Sequence, residues 1–438
     1  MEGGFLFRIL CAVLGGLRKL GWPTSLARLS PREADGYALA IAYMLKARWW
    51  TLRHGEPGWD CLQAEWASAE ADPVVRDALA SALSDADMPL LIAAGEDGFA
   101  RRNALYAGAR DRIDIATYYI QSDATGSATV AALAACVARG VRVRLLVDRY
   151  MMFKKRVEVE GMDELAARIR ACGIEMKSWH DPRRPYDSNH RKMIVVDGHT
   201  ALVGGRNFAD HYRGDAWRDV DLVLEGPSVA PLAAFFDALW RGEPVGGGEP
   251  GIHRPWVESV PSEVRRDPIM RCVLSAIGSA RATVDLELAY FVAHESLCGA
   301  LERAARRGVR VRLLTNSAEA NDLPYATWTA YAGMQRVLEA GGAVHGRRGA
   351  GRTLHCKYAV VDGQWVSFGS HNLDYYSPRF CGEANLLVCD SRLGARLTEF
   401  FETGLAEAPP LSLEGEVRPF LQRHRALRLF DRVFRDFQ

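Results

Sequence analysis

This sequence predicts an α/β fold built from two pseudo-symmetric α/β/α sandwich repeats with mixed sheets. Three observations carry that expectation. Ala138–Asp148 reads ARGVRVRLLVD and Arg306–Asn316 reads RRGVRVRLLTN, each a helix end, a glycine stop and a buried, β-branched strand. Strand-like and helix-like stretches alternate in the same order around both copies, as α/β architectures require. Two short motifs, His190-Arg-Lys192 and His355-Cys-Lys357, also share one register, since 355 − 190 and 372 − 207 both equal 165.

In chain order, residues 1–95 match neither repeat and read as mainly helical and tryptophan-rich, with Trp49, Trp50, Trp59 and Trp66. Within them Phe5–Trp22 is amphipathic: at about 100° per residue, Leu6, Ile9, Leu10, Val13, Leu14, Leu17 and Leu20 share one face. Such a helix lies in a bilayer interface or packs on the core. The first repeat, residues 96–245, carries the strand IDIATYYI from Ile113 and the motif strand SNHRKMIVVDG from Ser188. A linker follows at 246–265, centred on GEPVGGGEPG. The second repeat, 266–410, carries VDLELAYF from Val284 and LHCKYAVVDG from Leu354. The basic tail, 411–438, sets Arg423, Arg425, Arg428, Arg432 and Arg435 among apolar residues, and either binds anionic headgroups or caps the second repeat.

Composition excludes several classes. With 55 basic and 54 acidic residues the formal charge is +1, which speaks against a general nucleic-acid binder. Nine cysteines, an odd number without a C-x-x-C pair, give neither a disulfide framework nor a zinc knuckle and suit a reducing compartment. No apolar run approaches the roughly 18 residues that span a bilayer. The stretch Ile9–Leu17 lacks a basic lead-in and a clear cleavage site, so it makes a poor signal peptide.

Each motif continues identically. His190 and Lys192 lead to Asp197 and then Gly204-Gly205-Arg-Asn207; His355 and Lys357 lead to Asp362 and then Gly369-Ser370-His-Asn372. A shuffled chain with 11 His and 7 Lys among 438 residues would hold about 0.18 H-x-K pairs before any aspartate is required. Residues two apart on a strand share a face, so histidine and lysine can address one phosphate. Asp-Gly then marks a tight turn. Phosphodiester transfer needs a nucleophile, an acid for the leaving alkoxide and positive charge around the phosphoryl oxygens. Two histidines supply the first two and two lysines the third, with no metal and no cofactor. Gly205, Ser370, Asn207 and Asn372 are the expected phosphate donors, through backbone amides and amide side chains. His199, His211, His294 and His371 have no such spacing and read as surface or supporting residues.

Together these motifs resemble the HKD signature of the phospholipase D superfamily, over roughly residues 97 to 405. Trp217-Arg218-Asp219, Tyr118-Tyr119-Ile120 and the segment from Asp123 to Gly126 are similar to bacterial cardiolipin synthases. The resemblance implies a phospholipase D-like fold, His190 as nucleophile and His355 as general acid. It also implies Asp219 and Glu383 as acids that orient the opposing histidines, although Asp221 competes with Asp219. Implied too are a phospholipid substrate, cardiolipin formation from phosphatidylglycerol, and a peripheral site on the cytoplasmic face of the bacterial inner membrane. A two-repeat monomer is consistent with the duplication. Hydrolysis at the same site, by a phospholipase or nuclease, and a silent lipid-binding scaffold are the alternatives. Many such synthases carry transmembrane helices before the core; none is read here.

One expectation tests the lysines directly. This chain uses seven lysines against 48 arginines, yet Lys192→Arg should lower the transfer rate about 10²–10³-fold. The planar guanidinium fork crowds a pentacoordinate phosphorus that a compact ammonium fits. The same swap at Lys154 or Lys155 is expected to be nearly silent. Initial rates at matched folded fraction decide the matter, and near-wild-type turnover by the Lys192 variant would remove this lysine from the site.

Overall fold

Motif strands with apolar residues at every position need cover on both faces, and the architecture supplies it. The computed structural model describes residues 31–55, 61–62, 66, 80, 82–87, 89–243, 256–259, 261, 267–292, 294–323, 326–425 and 428. The first half contributes β1 (Leu90–Ile92), β2 (Arg112–Thr117), β3 (Arg142–Asp148), β4 (Glu175–Trp179), β5 (Ser188–Asn189), β6 (Met193–Val196), β7 (Thr200–Gly204) and β8 (Asp221–Glu225). The second contributes β9 (Trp256–Ser259), β10 (Thr283–Leu288), β11 (Arg310–Asn316), β12 (Ala343–Arg347), β13 (Lys357–Val361), β14 (Trp365–Gly369) and β15 (Cys381–Cys389).

These form two sheets, ordered β1-β8-β7-β6-β2-β3-β4 and β12-β11-β10-β13-β14-β15-β5, with β9 also on β15. In each, three strands run parallel (β2-β3-β4, β10-β11-β12) and the motif strands join antiparallel, so the sheets are mixed. The α/β two-repeat reading is therefore what the chain adopts.

The repeat boundaries shift outward. Ile92 lies opposite Asp221 and Val257 opposite Asn385, and 257 − 92 again equals 165. Each repeat thus opens with a short antiparallel edge strand that the limits at 96 and 266 cut away, and β9 sits inside the stretch read as linker. Strands of three and four residues carry too little periodicity to stand out. Nor are residues 1–95 a separate region, because Leu62 and Trp66 are buried in the core of the second half. The segment Phe5–Trp22, expected to be an amphipathic helix, Trp59, most of the glycine-rich linker, and Arg432 and Arg435 lie outside the described residues. The described tail caps the second half: Phe420 packs on Tyr331 at 4.1 Å between ring centroids, and Arg418 pairs with Glu339 at 2.9 Å.

Period-two alternation divides the strands between cores. Met193 and Val195, with Tyr358 and Val360, face a central core shared by both halves, together with the helices Val229–Arg241 and Ser391–Glu407. Ile194 and Val196 face the first half's outer core, and Ala359 and Val361 the second's. The arginines of the duplicated VRVRLL pin those central helices. Arg144 reaches Asp114 and Asp237 at 2.6 Å each; Arg312 reaches Asp285 at 2.7 Å and Glu402 at 2.6 Å.

Asp197 and Asp362, expected as catalytic members of the motifs, stand elsewhere. Each occupies a left-handed turn (φ 52° and 50°) at the far end of its motif strand, followed by a glycine that is also left-handed. Five residues of extended chain separate Asp197 from Lys192, on the order of 16 Å. The Asp197 carboxylate accepts from the amides of Arg110, Asp111 and Arg112 at 2.8–2.9 Å. Asp362 accepts from Arg281, Ala282 and Thr283 at 2.7–2.9 Å. The invariant spacing thus reflects a clamp between the motif hairpin and the first strand of the repeat, not a contact with substrate.

Candidate active site

The motif histidines lie just outside the regular ladders. His190, Arg191 and Lys192 follow β5, which pairs with β15 in the second sheet, and precede β6 in the first, so this segment crosses between the halves. Leu354, just before His355, makes the matching bridge to Arg218 of the first half. The backbone amide of His190 donates to the Gly382 carbonyl at 3.0 Å, and that of His355 to the Arg218 carbonyl at 2.7 Å. Each acceptor directly precedes an acid, Glu383 or Asp219.

Those acids complete the exchange. His190 Nδ1 lies 2.9 and 3.1 Å from the two Glu383 carboxylate oxygens, and His355 Nδ1 lies 2.9 Å from Asp219 Oδ2. A carboxylate on Nδ1 fixes the tautomer and leaves Nε2 as the lone-pair nitrogen. The competition between Asp219 and Asp221 is resolved: Asp221 is buried against Arg206 and Arg102, at 3.1 and 3.5 Å. The last residues of the duplicated strands hold the approach to each histidine. Asp148 accepts from the Asn189 amide at 2.8 Å, and Asn316 Oδ1 from the Leu354 amide at 2.7 Å. The duplicated VRVRLLVD and VRVRLLTN were legible as strands, but the task of their final Asp and Asn was not.

Lys192 and Lys357 are buried, and each ammonium donates to the carbonyl of its own motif histidine, at 2.6 and 2.5 Å. Tyr118 lies under Lys192 (5.3 Å) and edge-on to His190 (4.8 Å). Tyr212, Trp217 and Tyr290 surround His355 at 5.6, 5.5 and 6.3 Å. No spacing rule marks these aromatics; Tyr118 and Tyr290 follow the ends of β2 and β10, a position that becomes informative only once the topology is known.

Burial dominates the electrostatics. It holds the His190 imidazole down at about 4 against the upward pull of Glu383. His355 is pushed well below its usual value by burial and then by Lys357, Lys192 and His190. Burial also lowers Lys192 to about 7, opposed by Glu383, and lowers Lys357. Burial would raise Glu383, but His190, His371 and Lys192 bring it to about 2. Asp219 is raised by burial, although Arg206 and Lys357 oppose the rise. Burial therefore favours the neutral form of both histidines.

The expected phosphate donors do other work. A Cβ at Gly205 would collide with both carboxylate oxygens of Asp219, so glycine here makes room for the acid behind His355. At the equivalent position Ser370 donates its hydroxyl to Glu383 at 2.5 Å. The amides of Gly204, Ser370 and His371 are taken by Lys192 O, Ala384 O and Asn385 Oδ1. Asn207 accepts from Thr117 and Tyr118 at 3.2 Å each and donates to the Tyr212 hydroxyl at 2.8 Å, which holds Tyr212 against His355. Asn372 differs: its Oδ1 is buried without a hydrogen-bond partner among the described residues.

The supporting histidines divide. His294 and His371 are buried in the second half, His371 3.3 Å from Asp267. His199 bonds Thr200, and exposed His211 packs on Trp217 at 4.6 Å. Lys154 and Lys155, expected to be nearly silent because they lie outside the motifs, are tied into the structure. They are mostly buried, both paired to Glu158 at 2.6 and 3.0 Å, and Lys155 covers Tyr119 at 4.7 Å. Exposed Lys46 is the silent comparison for Lys192.

Residues 104–240 and 273–404 match the family model described as cardiolipin synthase, phospholipase D-like domain. Cardiolipin synthase B of Escherichia coli strain K12 is 30% identical over 318 residues, covering 66% of this chain and 74% of that protein. A cardiolipin synthase of Geobacillus thermodenitrificans is 28% identical over 368 residues, 78% of this chain and 71% of that one. Among solved structures, phosphatidylserine synthase of Haemophilus influenzae superposes with a TM-score of 0.66 at 14% identity, over 84% of this chain and 98% of that one, a likeness of fold.

The crowding at Gly205 yields a measurement. Gly205→Ala should displace the Asp219 carboxylate from His355 and lower turnover of the folded protein by about 10²-fold. Wild-type turnover in a variant whose folding is verified by thermal melting would show that the Asp219–His355 contact is dispensable.

Proposed function

Since this chain belongs to the phospholipase D-like cardiolipin synthase family and is a phosphatidyltransferase, we propose that it makes cardiolipin from phosphatidylglycerol through a phosphohistidine on His190. The observation that carries this reading is the crossed pairing of each motif histidine with an acid of the other half. It leaves two Nε2 atoms and two ammoniums for one phosphodiester. Neutral His190 attacks phosphorus with Nε2, and the P–O bond to the leaving glycerol breaks as His355 gives that oxygen its Nε2 proton. In the second half-reaction the hydroxyl of another phosphatidylglycerol loses its proton to His355. Its oxygen bonds phosphorus and the P–N bond breaks, so the products are cardiolipin and glycerol.

A bound phosphodiester adds one negative charge to a centre in which burial favours neutral histidines, and so favours uptake of the proton that His355 gives to the leaving oxygen. Asn372, with its partnerless Oδ1, is the remaining amide of the two motifs that can turn toward the substrate.

Membrane contact is assigned to the helix Pro31–Arg53. Leu45, Trp49 and Leu52, 42, 59 and 73% exposed, follow the i, i+4, i+7 spacing of one face. Lys46 and Arg53 are exposed beside them, matching an anionic bilayer. Tyr43 of this helix stacks at 3.8 Å on Tyr150 of the helix Arg149–Glu158, where half-exposed Phe153 extends the apolar surface. Among the described residues no helix is long and apolar enough to cross a membrane, and every cysteine is a free thiol, which suits the cytoplasmic face.

Mass spectrometry after incubation with phosphatidylglycerol and excess chelator should show cardiolipin among the lipids and an acid-labile phosphatidyl group on His190 of the protein. Phosphatidic acid alone would make the chain a hydrolase, and activity restored only by a divalent metal would overturn the two-lysine account. For the membrane, Trp49→Ser combined with Leu52→Ser should cut sedimentation with anionic vesicles severalfold, more than turnover on detergent-dispersed substrate. Unchanged sedimentation would move the docking surface elsewhere.

A further inference from the structure

The two halves differ in one respect that bears on which alcohol is used. Tyr119 and Tyr290 are equivalent, since 290 − 119 equals 171, the same interval as from Asp114 to Asp285 at the centres of β2 and β10. The Tyr119 hydroxyl meets His211 and Tyr212, at 3.3 and 3.4 Å. The Tyr290 hydroxyl instead donates to the Asp322 carboxylate, at 3.0 and 3.2 Å from its two oxygens. Tyr290 is edge-on to His355 and lies 5.9 Å from the Lys357 ammonium. A carboxylate therefore stands on the His355 side of the centre, beyond the two acids that hold the histidines.

A carboxylate beside a phosphodiester site repels the diester oxygens. What it accepts well is an uncharged hydroxyl. Burial raises the Asp322 carboxyl above its usual range, opposed by the Tyr290 hydroxyl and by the charges of Lys357 and Lys154. Trp217, at 5.5 Å from His355, and exposed His211 border the same side.

We propose that Asp322, held by Tyr290 beside His355, forms a polyol subsite that receives the free hydroxyls of the alcohol bound on the His355 side. That alcohol is the leaving headgroup in the first half-reaction and the acceptor in the second. The subsite rests on the phosphatidyl-transfer reading and adds to it a preference for a polyhydric alcohol over a monohydric one. Asp322 positions the alcohol; the proton still passes through His355.

The test is a competition. Full-length protein receives phosphatidylglycerol with equal concentrations of deuterated glycerol and 1-propanol, and the two labelled transfer products are quantified by mass spectrometry. The wild-type chain should favour glycerol, and Asp322→Ala should lower the glycerol-to-propanol product ratio at least about tenfold. Tyr290→Phe keeps the carboxylate but removes the hydroxyl that holds it, and should shift the ratio the same way by a smaller factor. It also carries the test if the alanine variant melts early. An unchanged ratio in either folded variant, with transfer still occurring, overturns the subsite and leaves the phosphatidyl-transfer reading intact. No transfer to any alcohol by the wild-type chain overturns both.

Discussion

Everything at the centre depends on an exchange between the halves. Each motif histidine gives its backbone amide to a carbonyl of the opposite repeat and its Nδ1 to the next acid along, so neither repeat orients its own motif histidine. The short strand β5 makes the crossing possible by leaving its own half to pair with β15. The shared core behind the site, with the central helices pinned by Arg144 and Arg312, then fixes the two halves at one separation. Arg218 adds a tie of the same kind. It sits in the sequence beside Asp219 but pairs with Glu287 of the second half at 2.7 Å and stacks on Phe400.

Such a centre is costly to bury, since isolated charges in a low-dielectric interior lose hydration that only partners restore. The chain offsets the cost by pairing: the lysines donate to carbonyls, and the acids face imidazoles and, in the case of Glu383, the Ser370 hydroxyl. Burial still depresses both lysines and both histidines. A bound anion relieves that depression, so substrate binding and protonation of the site are thermodynamically one process. Preorganised charge of this sort needs little rearrangement as the transition state forms.

Much of this was legible in the sequence, for reasons that can be named. The duplication, the mixed α/β order and the reactive histidines and lysines all followed from spacing, because a strand with period two and a fixed repeat length leaves few choices. Asp219 and Glu383 were reachable only through resemblance, since residues 136 and 193 positions away from their partners leave no local pattern. The motif aspartates misled for the opposite reason: Asp197 and Asp362 have an invariant spacing, but it serves a hairpin clamp. Gly205 was read as a phosphate donor because glycine pairs often are, whereas it is small to admit a carboxylate. Lys154 and Lys155 looked unremarkable in sequence because burial by a neighbouring helix is a tertiary fact.

The crossing at β5 also sets a timetable. A ribosome adds roughly 5–20 residues per second, so the 193 residues between His190 and Glu383 take on the order of tens of seconds to emerge. Throughout that interval the first half has an unpaired β5, an unorientated imidazole and an uncovered face of its central core. Long-range closure of this kind is slow and exposes unpaired strand to neighbours. The nascent enzyme is consequently silent until its last repeat has folded, and the segment around His190 is the place where a crowded polysome would first see it misassemble.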